Sequence, residues 1–343
     1  MLGNGSAKCW GSNTEGQLGT GIFFPQSTTA VNVAFLSGSA WLDSGAGHNC
    51  ALSTVGPMCW GRNVNGQLGN GGSGNLPSPA FVSGGIQAIS IAAGGEHSCA
   101  IVAGGTVKCW GNNQYGQIGD GTNTPRSVPV DVPNVTGATR LGAGFGHTCA
   151  LVGGGAVKCW GRNAAGQLGN GTTQNSLVAV DVAGLTGATQ LSSKASHNCV
   201  VVGSQLKCWG LNQHGQLGNG AMSNSSVVVD ALISGATAVA AGGQHTCAIV
   251  SGGVRCWGDN FFGQLGNGNT ASSLLPVNVL NVAGATSLTS GDQHACAVVG
   301  GGGVKCWGYN SDGELGNASQ ANSPTAVDVL ELERIFGSGF ENL

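Results

Sequence analysis

The sequence predicts an all-β propeller built from seven four-stranded repeats, and three observations carry that reading. The tripeptide Cys-Trp-Gly occurs seven times, with Trp at 10, 60, 110, 160, 209, 257 and 307, a period of 48 to 50 residues. Each copy continues as C-W-G-x-N-x-x-G-Q-L-G, with Ile118 replacing Leu once and Glu314 replacing Gln once. Glycine supplies 64 of 343 residues, and apolar residues 41% against 8% charged. A fixed period of this length marks stacked units that bury their faces on one another. Abundant Gly between short Val- and Ala-rich runs points to many tight turns joining short strands. Without a Gly-X-Y period, the composition excludes collagen, and its apolar share suffices for a packed core.

Residues 137–186 show how one unit is assembled. Ala138-Thr139-Arg140-Leu141 reads as strand A, ended by Gly142-Ala143-Gly144. His147–Val152 reads as strand B, and Gly153-Gly154-Gly155 as the turn that follows, because glycine enters positive φ without steric cost. Val157–Gly161 forms strand C, and the loop 163–171 leads to strand D at Leu177–Val182. Four antiparallel strands per repeat describe a propeller blade. A linear β-solenoid, whose coils are shorter and lack this hairpin rhythm, is the alternative. The chain reads as one domain, with repeats at 1–36, 37–86, 87–136, 137–186, 187–235, 236–283 and 284–330 and a closing segment at 331–343.

The first repeat starts at strand C. Arg334–Phe340 matches Arg140–Phe145 in kind, so the tail is expected to act as a strand A that returns to the first blade. The opening MLGNGSAKCWG has neither the charged nor the apolar region of a signal peptide. A coding sequence that begins further upstream would account for both the missing strand B and the missing export signal.

Twelve of the thirteen cysteines fall into pairs: Cys50–Cys59, Cys99–Cys109, Cys149–Cys159, Cys199–Cys208, Cys247–Cys256 and Cys296–Cys306. A two-residue turn at Gly203-Ser204 pairs Val202 with Gln205 and sets Cys199 opposite Cys208. Where the separation is ten, one extra Gly keeps the register. Directly opposed cysteines across a hairpin lie near disulfide reach. Disulfides are therefore expected, with buried free thiols and zinc ligation as the alternatives, and Cys9 is left unpaired. Disulfides imply an oxidising compartment: extracellular space, periplasm or cell surface. A cytoplasmic home is the alternative.

Net charge is −3, from 12 Lys plus Arg and 15 Asp plus Glu. With no basic run and no apolar stretch near the 18 or so residues needed to span a bilayer, neither nucleic-acid binding nor membrane insertion is expected. A motif of the form G-x-x-H-x-C, its Gly replaced in one copy, recurs upstream of Cys-Trp-Gly, with His at 48, 97, 147, 197, 245 and 294. Together, G-x-x-H-x-C-A-L-V and G-x-V-K-C-W-G-x-N-x-x-G-Q-L-G-N-G resemble the repeat of the regulator of chromosome condensation family, in a bacterial-type, Cys-rich form. The resemblance covers residues 3 to 330. It implies a propeller that works by binding proteins. Its precedents include a secreted bacterial propeller that inhibits β-lactamases and a nucleotide exchange factor for a small GTPase.

The repeated residues read as structural. Trp160 and its equivalents pack between blades, and Leu168 and its equivalents fill the space beneath the loop. Each His hydrogen-bonds the A–B loop of its own blade. The bases before Cys-Trp (Lys8, Lys108, Lys158, Lys207, Arg255 and Lys305) form a solvent-facing row. GQLGNG opens no helix, so it is not a phosphate cradle. Strands that run up and down place the A–B and C–D loops on one face, which gathers the side chains that differ between repeats. Tyr115, Phe145, Phe261, Phe262, Glu96, His214 and Asp292 are the candidate partner-binding residues there. No paired carboxylates, nucleophile–base spacing or closed metal site stand out, so no catalytic residue, metal or cofactor is expected. The expected function is a non-enzymatic, monomeric protein-binding scaffold. GTPase regulation and secreted enzyme inhibition are the alternatives.

Overall fold

The computed structural model describes residues 5–330. It is an all-β propeller with six four-stranded antiparallel sheets and one two-stranded sheet. The expectation of seven four-stranded blades is thereby corrected. The first repeat contributes only Lys8–Ser12 and Gln26–Asn32, its strands C and D, among the described residues. The proposed closing strand at 331–343 lies outside the described residues. The four-stranded blades are numbered 2 to 7 here, after the repeat whose Cys-Trp-Gly each contains. Their inner strands A are Trp41–Ser44, Ala88–Ala93, Arg140–Ala143, Ala188–Lys194, Ala236–Ala241 and Ser287–Ser290.

Blade 4 matches the sequence reading in strand order, with strand A displaced. Strand A runs over Arg140–Ala143 instead of 138–141, because Gly142 and Ala143 continue to pair with Cys149 and Thr148. Strand B pairs with strand C in the expected register, which places Cys149 opposite Cys159 and Val152 opposite Ala156. Between them, Gly154 and Gly155 hold φ near +74° and +73°. A side chain at either site would strain this turn.

Seven equivalent seams join the sheets. Trp160 is fully buried and donates its indole N–H to the carbonyl of Gln117, in the preceding repeat's GQIG loop, at 2.9 Å. Trp60, Trp110, Trp209, Trp257 and Trp307 do the same to Gln17, Gln67, Gln167, Gln216 and Gln264. Trp10 closes the circle by donating to the Glu314 carbonyl of blade 7 at 2.9 Å. The ring is therefore closed through the two-stranded sheet, which excludes a linear solenoid. Each indole also lies in one apolar cluster with the cysteines of the preceding repeat, as Trp160 does with Cys99 and Cys109.

The last glycine of each GQLG loop lies against the next indole. A methyl group on Gly119 would stand 2.7 Å from Trp160 Cδ1, whereas one on Gly121 would meet nothing within 4 Å. Within the loop, buried Asn163 accepts the Leu168 N–H at 2.8 Å and donates to the carbonyls of Thr172 and Gln174. Gln167 Oε1 accepts the Ala165 N–H at 2.8 Å. The repeated Asn and Gln are thus internal braces that give one loop one shape.

All six cysteine pairs are disulfides, with Cα–Cα separations of 4.0–4.1 Å. Bridging nine or ten residues, each removes about 2–3 kcal/mol of loop entropy from the unfolded chain in the entropic model. Cys9 is free, and burial pushes its thiol up to about 12, so it stays protonated and unreactive at neutral pH.

Two outcomes are expected. Titration of denatured, unreduced protein should count one thiol per chain, against thirteen after reduction; thirteen before reduction would remove the disulfides from the fold. Gly119 and Gly121 both hold positive φ, so Gly121→Ala should cost about 1 kcal/mol of backbone strain. Gly119→Ala should cost roughly 2–4 kcal/mol, because the indole must also move. Chemical denaturation compares the pair, and equal losses would mean the indole tolerates the methyl.

Candidate functional site

The A–B and C–D loops emerge on one face and are tied together by backbone bonds such as Arg162 N–H to Gly146 C=O at 2.8 Å. The candidate residues on that face fall into two clusters. The first lies on blades 2 to 4. Tyr115 is half-buried under the Arg162 guanidinium, whose carbon stands 5.2 Å from the ring centre, within cation–π range. Phe145 is 49% exposed beside Gly95. Glu96 pairs with Arg62 at 3.0 Å and accepts from Asn65 and Asn112, so its carboxylate is engaged inside the chain.

The second cluster lies on blades 5 to 7. Phe261 and Phe262 meet edge to face at 4.8 Å, and Phe262 meets Tyr309 of blade 7 in the same way at 4.8 Å. Phe261 is 73% exposed. His214 Nδ1 stands 3.8 Å from Asp259, which also accepts from Gln264. Asp292 is exposed, and its carbonyl accepts the Gly243 N–H at 3.0 Å.

Several positions on the loop face escaped the sequence reading. Arg62, Arg162, Asp259 and Tyr309 all occupy the residue directly after Cys-Trp-Gly, which is Ser12, Asn112 and Leu211 in the other repeats. That position varies as freely as the loop tips, and its variability was the available signal. Lys194 is another, since it stands where the other five A–B loops have Gly45, Gly94, Gly144, Gly242 and Gly291. Its ammonium reaches from blade 5 to the Ser44 carbonyl of blade 2 at 3.0 Å, across an axial cavity of about 1100 Å³. Asp43, at the same level, accepts the N–H groups of Ala93 and Ser44. Burial raises its carboxyl above the usual range although Lys194 pulls the other way.

The row of bases before Cys-Trp is mostly cross-strand ion pairs. Lys108, Lys158, Lys207 and Lys305 meet Asp131, Asp181, Asp230 and Asp328 at 2.5–2.7 Å. Such exposed pairs contribute about 0–1 kcal/mol each.

Four of the six histidines, His48, His97, His147 and His197, bond to the next blade and not to their own A–B loop, which corrects the sequence expectation. Thr148 Oγ1 donates its proton to the Gln117 carbonyl at 2.9 Å, so it accepts from His97 Nε2–H at 2.8 Å. The same logic joins His48 to Ser98 and His197 to Thr246, and His147 donates to Asn198 Oδ1. In the next repeat the residue equivalent to these partners is Ala295, which offers no acceptor, and both ring nitrogens of His245 are buried without a hydrogen bond. The tautomer with Nε2–H leaves Nδ1 buried without a partner in His48, His97, His147 and His197. Burial lowers His48, His97, His197 and His245 to about 3, and His147 and His294 to about 4. Among the described residues, no group of three His, Cys, Asp or Glu side chains converges as metal ligands would.

Two family models, each described as "Regulator of chromosome condensation (RCC1) repeat", match this chain. One matches residues 59–101, 104–151, 206–249 and 251–298, the other 88–117, 139–167, 236–264 and 285–314. Among solved structures, human WBSCR16 is similar at TM-score 0.86 and 20% identity, over 94% of this chain and 93% of that one. Yeast RCC1 (Prp20), solved with Kap60, is similar at TM-score 0.85 and 22% identity, over 96% and 84%. A separate structure of Prp20p from Saccharomyces cerevisiae gives TM-score 0.82 and 22% identity, over 96% and 87%. No curated protein sequence matches the chain.

The buried imidazoles make the fold acid-sensitive. Each binds fewer protons folded than unfolded between about 3 or 4 and the ordinary value of 6.5. Their contribution is complete above pH 6.5 and is lost as pH falls toward the folded values of about 3 to 4, by at most about 1.4 kcal/mol per histidine per pH unit. Urea unfolding at pH 7.5, 6 and 5 should show this slope. His97→Gln, which can still donate to Thr148, should reduce it by roughly one proton; an unchanged slope would mean His97 is not titrating on unfolding.

Proposed function

Because the chain belongs to the regulator of chromosome condensation repeat family, we propose that it is a non-enzymatic, exported scaffold that binds a protein partner through its A–B and C–D loops. The observation that carries this reading is the division of labour on the loop face. An Asn and a Gln, the latter replaced by Glu314 in blade 7, brace every C–D loop in the same way, while the residues beside them differ from blade to blade. Rigid loops with individual side chains form a recognition surface at small entropic cost. Exposed Phe145 and Phe261 are the aromatic anchors expected at an interface.

Two further considerations support it. Six disulfides fit an oxidising compartment and favour an exported binder over a cytosolic regulator of a GTPase. One structurally similar protein, yeast Prp20p, is described by its binding to Gsp1p and histones, so a related ring engages proteins. This chain is proposed to act as a monomer, without a cofactor, and inhibition of a secreted enzyme is one form its binding can take.

The two faces can be tested against each other. A loop-face variant, Tyr115→Ser/Phe145→Ser/Phe261→Ser, should capture partners from extracellular fractions at least tenfold less well than the native chain. Phe35→Ser/Val55→Ser, which alters exposed residues in other loops, should capture them equally. If the loop-face variant keeps every partner, the scaffold reading falls.

A further inference from the structure

Within the loop face, the junction of blades 6 and 7 has a chemistry of its own. Four loops are knitted together there. The Asp259 N–H donates to Gln244 C=O, the Gly243 N–H to Asp292 C=O, and the Tyr309 N–H to Gln293 C=O. The Phe262–Tyr309 ring contact closes the set. Residues 242–245, 259–266, 291–294 and 309–316 include Asp259, Asp292, Asp312 and Glu314 but no Lys or Arg. The loops that carry these carboxylates also carry the aromatic rings of Phe261, Phe262 and Tyr309, of which Phe261 is the most exposed. Asp259 is engaged by His214 and Gln264, whereas Asp292 and Asp312 are the exposed and half-exposed acids of the set.

The chain's own repeats indicate what such a junction accepts. Phe262 occupies in blade 6 the position of Tyr115 in blade 3, and Tyr309 occupies in blade 7 the position of Arg162 in blade 4. At the junction of blades 3 and 4, the guanidinium of Arg162 covers the Tyr115 ring. At the junction of blades 6 and 7 the covering cation is replaced by another ring, so the aromatic surface is larger and, among the described residues, no guanidinium or ammonium group lies over it. Aromatic faces attract guanidinium and ammonium groups through their quadrupole, and nearby carboxylates add to that attraction.

We propose that the blade 6–7 junction is the docking site for a basic segment of the protein partner, one Arg or Lys side chain lying over Phe261, Phe262 and Tyr309 beside Asp292 and Asp312. The inference rests on the loop face being the binding face, and names the partner's chemistry there. A base from the partner takes the place that Arg162 fills within the chain. The acidic carboxylates steer it in, and the apolar stem of the Arg or Lys covers the exposed Phe261 ring.

The test uses a fluorescein-labelled peptide, acetyl-Gly-Arg-Gly-Arg-Gly-amide, and its counterpart with citrulline in place of arginine, read by fluorescence anisotropy at low salt on the full chain. The arginine peptide should bind at least tenfold more tightly than the citrulline peptide. Asp292→Asn/Asp312→Asn, and separately Phe261→Ser, should each weaken it at least fivefold, with unfolding midpoints checked to confirm an intact ring. Phe35→Ser/Val55→Ser, in loops away from this face, should leave it unchanged. Equal binding of the two peptides, no binding of either, or unchanged binding by both junction variants would overturn the proposal. Such a result, alongside partner capture that still depends on Tyr115, Phe145 and Phe261, would leave the scaffold reading standing and remove only the basic segment.

Discussion

The indole of each repeat, bonded to a carbonyl of the repeat before it, is the contact on which the rest of the molecule depends. Trp160 donates to Gln117 C=O, and the same oxygen accepts Thr148 Oγ1–H, so one carbonyl of blade 3 holds two strands of blade 4. That carbonyl lies in the C–D loop. The bond that sets the spacing between blades therefore also immobilises the loop that carries the variable side chains. A bare glycine follows two residues later because the indole needs the space that a side chain would fill.

Repetition of this seam explains why a two-stranded sheet can stand among four-stranded ones. Strand C supplies the tryptophan and the C–D loop supplies the carbonyl, so a repeat needs only strands C and D to join its neighbours on both sides. Trp10 and Gln17 satisfy both requirements. Stability in such arrays is close to a sum of unit and neighbour terms, which makes each seam a separate contribution. Strand B adds the cysteine that completes the disulfide on which the next indole packs; at Trp60 the free thiol of Cys9 joins the apolar cluster instead.

The architecture was legible in the sequence because the seam's parts recur at one period. Cys-Trp-Gly, GQLG and the opposed cysteines each describe a contact made many times, and the register of Cys199 with Cys208 followed from the length of one turn. What the period could not show was the partner of each histidine. The His97–Thr148 bond joins residues 51 apart, one repeat plus one residue, and looks like a local cap when a single unit is considered. Lys194 was hidden for the opposite reason: it breaks the G-x-x-H pattern, and a motif read for its regularity passes over its exceptions.

Those exceptions are where function is to be sought, because an internal repeat supplies its own controls. Five A–B loops with glycine show what the ring requires at that level, so Lys194 is a departure that the fold did not demand. The residue after Cys-Trp-Gly works in the same way. It is arginine over tyrosine in one seam and tyrosine against phenylalanine in another, while the braces beneath are alike. A ring held by identical bonds cannot distinguish one partner from another. On the proposed reading, selectivity resides in side chains that the bonds leave free to differ, and on this chain those collect on the loop face, with Arg62 and Arg162 toward blades 2 to 4 and Asp292 with Phe261, Phe262 and Tyr309 toward blades 6 and 7.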